Sequence, residues 1–480
     1  MSSASGKGLD RRTFLGLTSA AAAGVVLGEG CVQRSSVAER PNVLFIAVDD
    51  LNDWVGVLGG HPNASTPNLD RLAARGVCFT NAHCSAPICS ASRTSVLSGR
   101  EPYNSGVYTN AQQFRDYLPD AVSIPQHFMR SGYEVLGAGK MFHSPEPSSF
   151  HEEFLIEQKA LGSFRSPDDG WGLAGRPSFN WGPVDIDEEE LHDRQLARWV
   201  ESVLARSFDA PFFISVGLAL PHLPWWVPRD YLERFPPDEI SLPLLYYADR
   251  ADIPGRAKEL AHFSFRARLV REAGQDTKAV AAYLAATAFM DDALGIILDA
   301  LDASPFADNT VIVLWSDHGH HLGEKGHWSK YVLWEDSTRV PLAVVAPGVT
   351  QPGQLCSRPV SLVHLYRTLI DLCGLPEVAE IDGVSLRPLL ADPQAAWELP
   401  ALSMVDVNVA VRTERWRYIR YATGGAELYD HDDDEHEWLN LLWGNQDRRE
   451  LVAELEKWMP ESFVPTSQRG SGLEEPVSDI

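Results

Sequence analysis

The sequence predicts an α/β fold built on a large, mostly parallel sheet flanked by helices on both faces. Val43-Leu44-Phe45-Ile46-Ala47-Val48 is an apolar run with no polar alternation, the pattern of a strand covered on both sides. Similar runs at Tyr133 to Gly137, Phe212 to Leu220 and Thr310 to Trp315 each lead into polar, chemically capable residues. Helical patterns lie between them, and strands alternating with helices are the grammar of a parallel sheet.

In chain order, residues 1–39 read as an export signal and linker. Asp10-Arg11-Arg12-Thr13-Phe14-Leu15 precedes a short apolar run, Gly16 to Gly28. That run is too short for a permanent membrane span, which needs about 20 apolar residues. Its paired arginines resemble a twin-arginine signal, which makes the export machinery a partner and places the mature chain in the periplasm or outside the cell. Lipid attachment at Cys31 is an alternative, although Glu29 and the glycines beside it make a poor lipobox.

The first strand ends in Asp49-Asp50. A helix should follow at Thr66 to Leu72, with Thr66 as N-cap, Pro67 at the first helical position and Gly76 closing the end. The second strand leads to Lys140 and His143, the third to Pro221-His222, and the fourth to Asp317-His318. Val280 to Leu301 is a natural crossover helix before the fourth strand. In open parallel sheets ligands bind at the carboxyl ends of strands, so these groups should converge on one crevice.

Composition narrows the chemistry. With 41 Lys+Arg against 66 Asp+Glu in 480 residues, the net charge is −25, which argues against nucleic acid as a partner. The 44% hydrophobic content supports a large core. At about 150 residues per domain the length suggests two to three domains, or one large sheet domain with a smaller companion. Six cysteines make no disulfide scaffold. In an exported chain Cys78 with Cys84, or Cys356 with Cys373, could bridge.

Adjacent carboxylates withdrawn from water call for a cation. Asp49, Asp50 and Asp317 would offer hard oxygen ligands suited to Ca²⁺ or Mg²⁺, with His318 as a fourth group. His318, His320, His321 and His327 suggest zinc instead, but the carboxylate majority favours calcium.

The most informative stretch is Cys89-Ser90-Ala91-Ser92-Arg93-Thr94-Ser95-Val96-Leu97-Ser98-Gly99-Arg100. If Cys89 opens a helix, Arg93 lies on the same face four residues on, and the helix N-terminus attracts a tetrahedral oxyanion. The segment resembles the signature of the type I, formylglycine-dependent sulfatases of the alkaline phosphatase superfamily. That resemblance implies an alkaline-phosphatase-like fold with a catalytic domain over 40–350 and a smaller C-terminal α+β subdomain over 351–480, its tail flexible from about 465. It implies hydrolysis of a sulfate ester by a formylglycine made from Cys89, with a formylglycine-generating enzyme as a partner. A single Ca²⁺ would be bound by Asp49, Asp50, Asp317, His318 and the residue at 89. Arg93 would stabilise the formylglycine hydrate, Lys140 would hold a sulfate oxygen, His143 would take a proton during sulfate release, and His222 and Lys330 would contact the sulfate.

Asn42 to Trp54, Gly139 to His143, Pro221 to Pro224 and Ser316 to Lys330 most resemble the iduronate-2-sulfatase branch, which implies a sulfated saccharide as substrate. Trp225 or Trp226 would border the glycan subsite, and Trp171 and Trp181 in the stretch Asp168 to Pro183 offer further aromatic faces; with 14 tryptophans in the chain, a core or rim role is the alternative. The acidic surface favours small fragments or chain ends over long polysulfated chains. The rival readings are a formylglycine-dependent phosphodiesterase or phosphonate hydrolase, and a non-catalytic calcium-stabilised glycan-binding protein. The sequence leaves oligomeric state open.

Overall fold

The protein is described by a computed structural model covering residues 40–156, 170–246, 248–261, 264–444 and 447–465. The export signal, Cys31 and the tail beyond 465 lie outside the described residues.

The main sheet comprises β1 (Asn42–Val48), β2 (Val77–Phe79), β3 (Glu134–Gly139), β4 (Glu152–Phe154), β5 (Phe212–Leu218), β6 (Thr310–Ser316), β7 (Leu342–Val345) and β8 (Gln354–Cys356). Their order across the sheet is β8-β2-β7-β6-β1-β5-β3-β4. Strands β6, β1, β5, β3 and β4 run parallel, as their apolar runs predict. Strand β7 is antiparallel to both β6 and β2, so the sheet is mixed towards that edge.

Every residue of β1, β5 and β6 is buried because both faces of the sheet are covered. Val43, Phe45 and Ala47 face a core that includes the helices Ile124–Arg130 and His364–Cys373. Leu44, Ile46 and Val48 face the opposite core, with His192–Leu204 and Asp276–Asp302. Each fully buried Leu, Ile, Val or Phe side chain contributes about 1.5–3 kcal/mol through its removal from water. Helix Asp276–Asp302 is long and apolar enough to cross a membrane, yet 89% of its apolar window is buried inside the protein, as befits a crossover helix.

The first helix, Pro67–Ala73, starts as expected but is capped differently. Thr66 Oγ1 accepts from Gly56 N at 2.9 Å, and the first-turn helix N–H groups of Asn68 and Leu69 donate to Asp291 at 2.9 and 2.8 Å. A distant carboxylate thus replaces the local cap. Gly76 does not close this helix, whose cap is Ala74. Instead Gly76 admits β7, since a Cβ there would lie 2.2 Å from Val344 O.

Towards the C-terminus, Ala401–Val405, Asn408–Arg412, Trp416–Arg420 and Ala426–Asp430 form an antiparallel sheet in sequential order, followed by helix Arg449–Glu456. This is the smaller α+β element. Its buried Arg417 pairs with Glu335 and Glu437, and Trp334 Nε1 donates to Glu427 at 2.8 Å. The chain from Arg40 onward clusters as one compact unit. Cys78, Cys84, Cys89, Cys356 and Cys373 are all buried and unbridged, so neither candidate disulfide forms.

Candidate active site

Strand register brings the site together. Val48 lies level with Leu218 on one side and Ser316 on the other, so three adjacent strands end at one height. Asp49 N donates to Leu218 O at 3.2 Å and Asp317 N donates to Val48 O at 3.1 Å, which fixes where the two carboxylates leave the sheet. Asp50 then turns sharply with φ +62°, a left-handed conformation that Asp tolerates better than most residues. Its N–H donates to Asp317 Oδ1 at 3.1 Å and its carbonyl accepts from the Tyr283 hydroxyl at 3.0 Å.

Cys89 opens helix Cys89–Ser98, after Ile88 in extended conformation. Its sulfur lies 3.2 Å from His318 Nε2 and 3.2 Å from Lys330 Nζ, and it is hydrogen-bonded by His143. Arg93, one turn on and 1% exposed, donates from Nε to Asp317 Oδ2 at 2.8 Å and to the carbonyls of Lys140 and Met141. Its NH2 lies 3.4 Å from Asp49 Oδ1. Lys140 Nζ meets Asp49 Oδ2 at 2.6 Å, and Lys330 Nζ meets Asp50 Oδ1 at 2.8 Å. His222 anchors its Nδ1 on Leu223 O at 2.6 Å.

All ten predicted site residues therefore come to one crevice, and their charges are interlocked. Burial would raise Asp49, but Lys140, His222 and Arg93 hold its carboxyl far below the usual range. Burial and the Asp49 charge push Asp317 up to about 6. Burial would lower His318, yet Asp317 and Cys89 lift it to about 9. Burial opposes ionisation of Cys89, but Lys140, Lys330 and His318 hold its thiol well below the ordinary value. His222 is raised against its burial by Asp50 and Asp49.

Asp49, Asp50, Cys89 and His318 each present a ligand atom, all within 4.8 Å of one another. Asp49 Oδ1 is buried without a hydrogen-bond partner. Two hard carboxylates, one with a buried oxygen that has only the Arg93 NH2 contact at 3.4 Å and no hydrogen bond, fit a calcium-type ion. Asp317, expected as a further ligand, lies beside this set rather than in it. Its Oδ2 is taken by Arg93, and its Oδ1 accepts from Asp50 N and His318 N.

The zinc alternative loses its ligands. His321 Nδ1 bonds Ser337 Oγ at 2.8 Å, His327 Nε2 bonds Lys330 O at 2.9 Å, and His320 packs on the rings of Trp225 and Tyr283. A second acid–histidine group, Glu335, His431 and Glu437, is neutralised by Arg412 and Arg417. The aromatic expectation also needs correction. Trp225 is 0% exposed with Nε1 donating to Pro221 O at 2.6 Å and packs against Tyr283 and His320, and Trp226 is 3% exposed, so neither presents a ring face for a sugar.

Sequence reasoning passed over Tyr283, whose hydroxyl also bonds Asn52, and Ser92, whose Oγ donates to Asp317 O at 2.5 Å. A tyrosine inside the apolar helix 276–302 gives no local sign that it reaches Asp50. Ser92 was visible only as a position of the Cys89 motif.

The family model described as "Sulfatase" matches residues 41–375. The chain belongs to the sulfatase family. As a sulfatase it is a sulfuric ester hydrolase, and its C-terminal part, 323–463, also matches the model "N-sulphoglucosamine sulphohydrolase, C-terminal". It is 36% identical over 427 residues to a sulfatase of Formosa agariphila, covering 85% of this chain and 84% of that one. It is 31% identical over 396 residues to the iduronate 2-sulfatase of Mus musculus, covering 72% and 71%. Its fold is similar to that of a phosphonate monoester hydrolase from Silicibacter pomeroyi, with TM-score 0.75, 21% identity and coverage of 87% and 94%.

Proposed function

We propose that this sulfatase releases inorganic sulfate from a sulfated saccharide, in the manner of the iduronate 2-sulfatases, and does so with residue 89 converted to formylglycine and one bound calcium. The observation that carries this reading is the position of Cys89. It sits at the first turn of its helix, 3.2 Å from both His318 and Lys330, with Asp49 and Asp50 in the same cluster. The iduronate 2-sulfatase likeness supports a sugar as the alcohol portion. When bound, the ion would be held by Asp49, Asp50, His318 and the residue at 89, supplying positive charge against sulfate oxygens; formylglycine would supply a hydrated aldehyde with two hydroxyls.

The chain's own residues supply the remaining chemistry. Lys140 and Lys330 carry ammonium groups at the crevice and stabilise the sulfate oxygens as negative charge gathers on them. Arg93 fixes the Asp317 carboxylate and, through Asp49, the wall facing residue 89. His143, hydrogen-bonded to residue 89, accepts a proton from the group there. His222 donates Nδ1–H to a backbone carbonyl, and the imidazolium that Asp50 and Asp49 favour carries a second proton on Nε2 for the departing alcohol oxygen. Asp49, Asp50 and their neighbours are packed too tightly for bulk water, which strengthens each of these charges.

Cys89 is 1% exposed, so its conversion by a formylglycine-generating enzyme has to precede completion of folding. The twin-arginine-like start of the chain then directs the folded enzyme to the periplasm or beyond.

The test combines a peptide mass spectrum at residue 89 with rates on an aryl sulfate and an aryl phosphonate monoester. Formylglycine together with faster sulfate ester cleavage is expected. Faster phosphonate cleavage would favour the second reading, which the likeness to the phosphonate monoester hydrolase fold keeps in view.

A further inference from the structure

Two short bridges of hydrogen bonds tie the turn that carries Asp50 to the turn that carries His318. In the first, Leu51 N donates to Ser316 Oγ at 3.0 Å and the Ser316 hydroxyl donates to His318 O at 3.0 Å. In the second, Asn52 Nδ2 donates to His320 O at 3.0 Å. Asn52 is itself held by Tyr283. Its N–H donates to the tyrosine hydroxyl at 3.0 Å, and the proton of that hydroxyl serves Asp50 O or Asn52 Oδ1, each at 3.0 Å. Trp54 N also donates to Asn52 Oδ1 at 3.0 Å. Asn52, Tyr283 and Ser316 are buried.

Tyr283 is placed to hold rather than to react. Its ring packs edge-on against Trp54 and Trp225, with centroids 5.6 and 5.5 Å away, and its backbone belongs to the buried crossover helix Asp276–Asp302. Burial pushes the hydroxyl well above its ordinary range, so it keeps the proton that it gives to the turn. The turn needs holding, because φ +62° at Asp50 persists in a residue other than glycine only where the surroundings fix it. Asp50 and His318 both supply atoms to the group that lies within 4.8 Å of one another. A ligand whose direction is already fixed gives up little freedom on meeting a cation, so contacts behind it raise affinity without touching the ion.

We infer that Tyr283 and Asn52 form a clasp that presets the spacing of Asp50 and His318, which makes both of them positioning residues for the calcium site. This rests on the calcium reading of the cluster around Cys89. A helix whose evident task is to cover the sheet thereby also sets how firmly the cation is held.

The test measures calcium binding by isothermal titration calorimetry on the formylglycine-bearing full chain, after removal of metal with EGTA and at a temperature well below unfolding. Tyr283→Phe deletes only the hydroxyl, and Asn52→Ala deletes the bridge to His320. Asp291→Ala is the control, because it removes a stabilising contact of the same helix about two turns further on. Tyr283→Phe is expected to raise the calcium Kd about ten- to a hundredfold, while the control stays within twofold of wild type. A Tyr283→Phe protein whose Kd stays below fivefold of wild type, or a control that shifts as far as the variant, overturns the inference. Thermal melting shows which variants fold, and Asn52→Ala decides by the same limits should Tyr283→Phe not fold. A wild type that takes up no calcium would overturn the calcium reading, and the inference with it. Uptake by wild type that Tyr283→Phe matches leaves that reading standing and removes the clasp alone.

Discussion

Arg93 Nε donates to Asp317 Oδ2 at 2.8 Å, and neither side chain is more than 1% exposed. The pair joins the helix that carries Cys89 to the end of the strand that carries Asp317. Removing one member of a buried ion pair leaves the other charge without compensation, which costs about 3–5 kcal/mol. Arg93→Met should lower unfolding stability by that amount and reduce sulfate release by at least a hundredfold. Denaturant titration and sulfate assay check both; a variant as stable and active as wild type would refute the assignment.

Cys89→Ala should retain the native circular dichroism spectrum and lose multiple turnover. Cys89 packs within a dense polar cluster, and the smaller side chain fits without strain. Sulfate release above background from this variant would exclude residue 89 as the nucleophile.

Chelation should act on stability as well as on rate. Two buried carboxylates, with Asp49 Oδ1 lacking a hydrogen bond, gain most from an ion, and a ligand at a hundred times its Kd stabilises a protein by about 2.7 kcal/mol. Melting temperature should fall on treatment with EGTA and recover with Ca²⁺ more fully than with Zn²⁺. In Asp49→Asn this difference should shrink, and a full calcium response there would point to ligands elsewhere.

The fold's outline was legible because the central strands are buried on both faces and so lack polar alternation. The site was legible because its groups follow those strands directly, and because Cys89, Arg93 and their spacing form a recognisable segment. Contacts made across the fold were not legible. Asp291 caps a helix more than 200 residues away in sequence, and Tyr283 grips the Asp50 carbonyl from a crossover helix. Nor does local sequence distinguish a tryptophan that stacks on a sugar from one such as Trp225, whose ring packs edge-on against Tyr283 and His320.

That distant cap gives its own expectation. Asp291→Ala leaves the Asn68 and Leu69 N–H groups without their acceptor, at a cost of about 1–2 kcal/mol. Equilibrium unfolding should show the loss, whereas an unchanged midpoint would mean that Thr66 or water takes over the role.

Glu101 supplies a pH dependence separate from the reaction centre. Burial, reinforced by Asp382, pushes its carboxyl up to about 8, and its Oε2 has no hydrogen-bond partner. The folded chain therefore holds a proton there that the unfolded chain releases near pH 4.5. Stability contributed by this group falls as pH rises from about 4.5 to about 8, at up to about 1.4 kcal/mol per pH unit. Glu101→Gln should flatten that decline in a series of denaturation curves, and an identical slope in both proteins would disprove it.

The level ends of β5, β1 and β6 also govern which length changes the gene can accept. Adding or deleting one residue within β1 would shift Asp49 and Asp50 by about 3.3 Å along the strand and turn alternate side chains to the opposite face. Because Asp49 N and Asp317 N are each bonded to the neighbouring strand at this level, no loop downstream can absorb such a shift. Insertions that diversify substrate choice are thereby confined to the connections beyond the strand ends, while the strands themselves act as a fixed ruler for the chemistry.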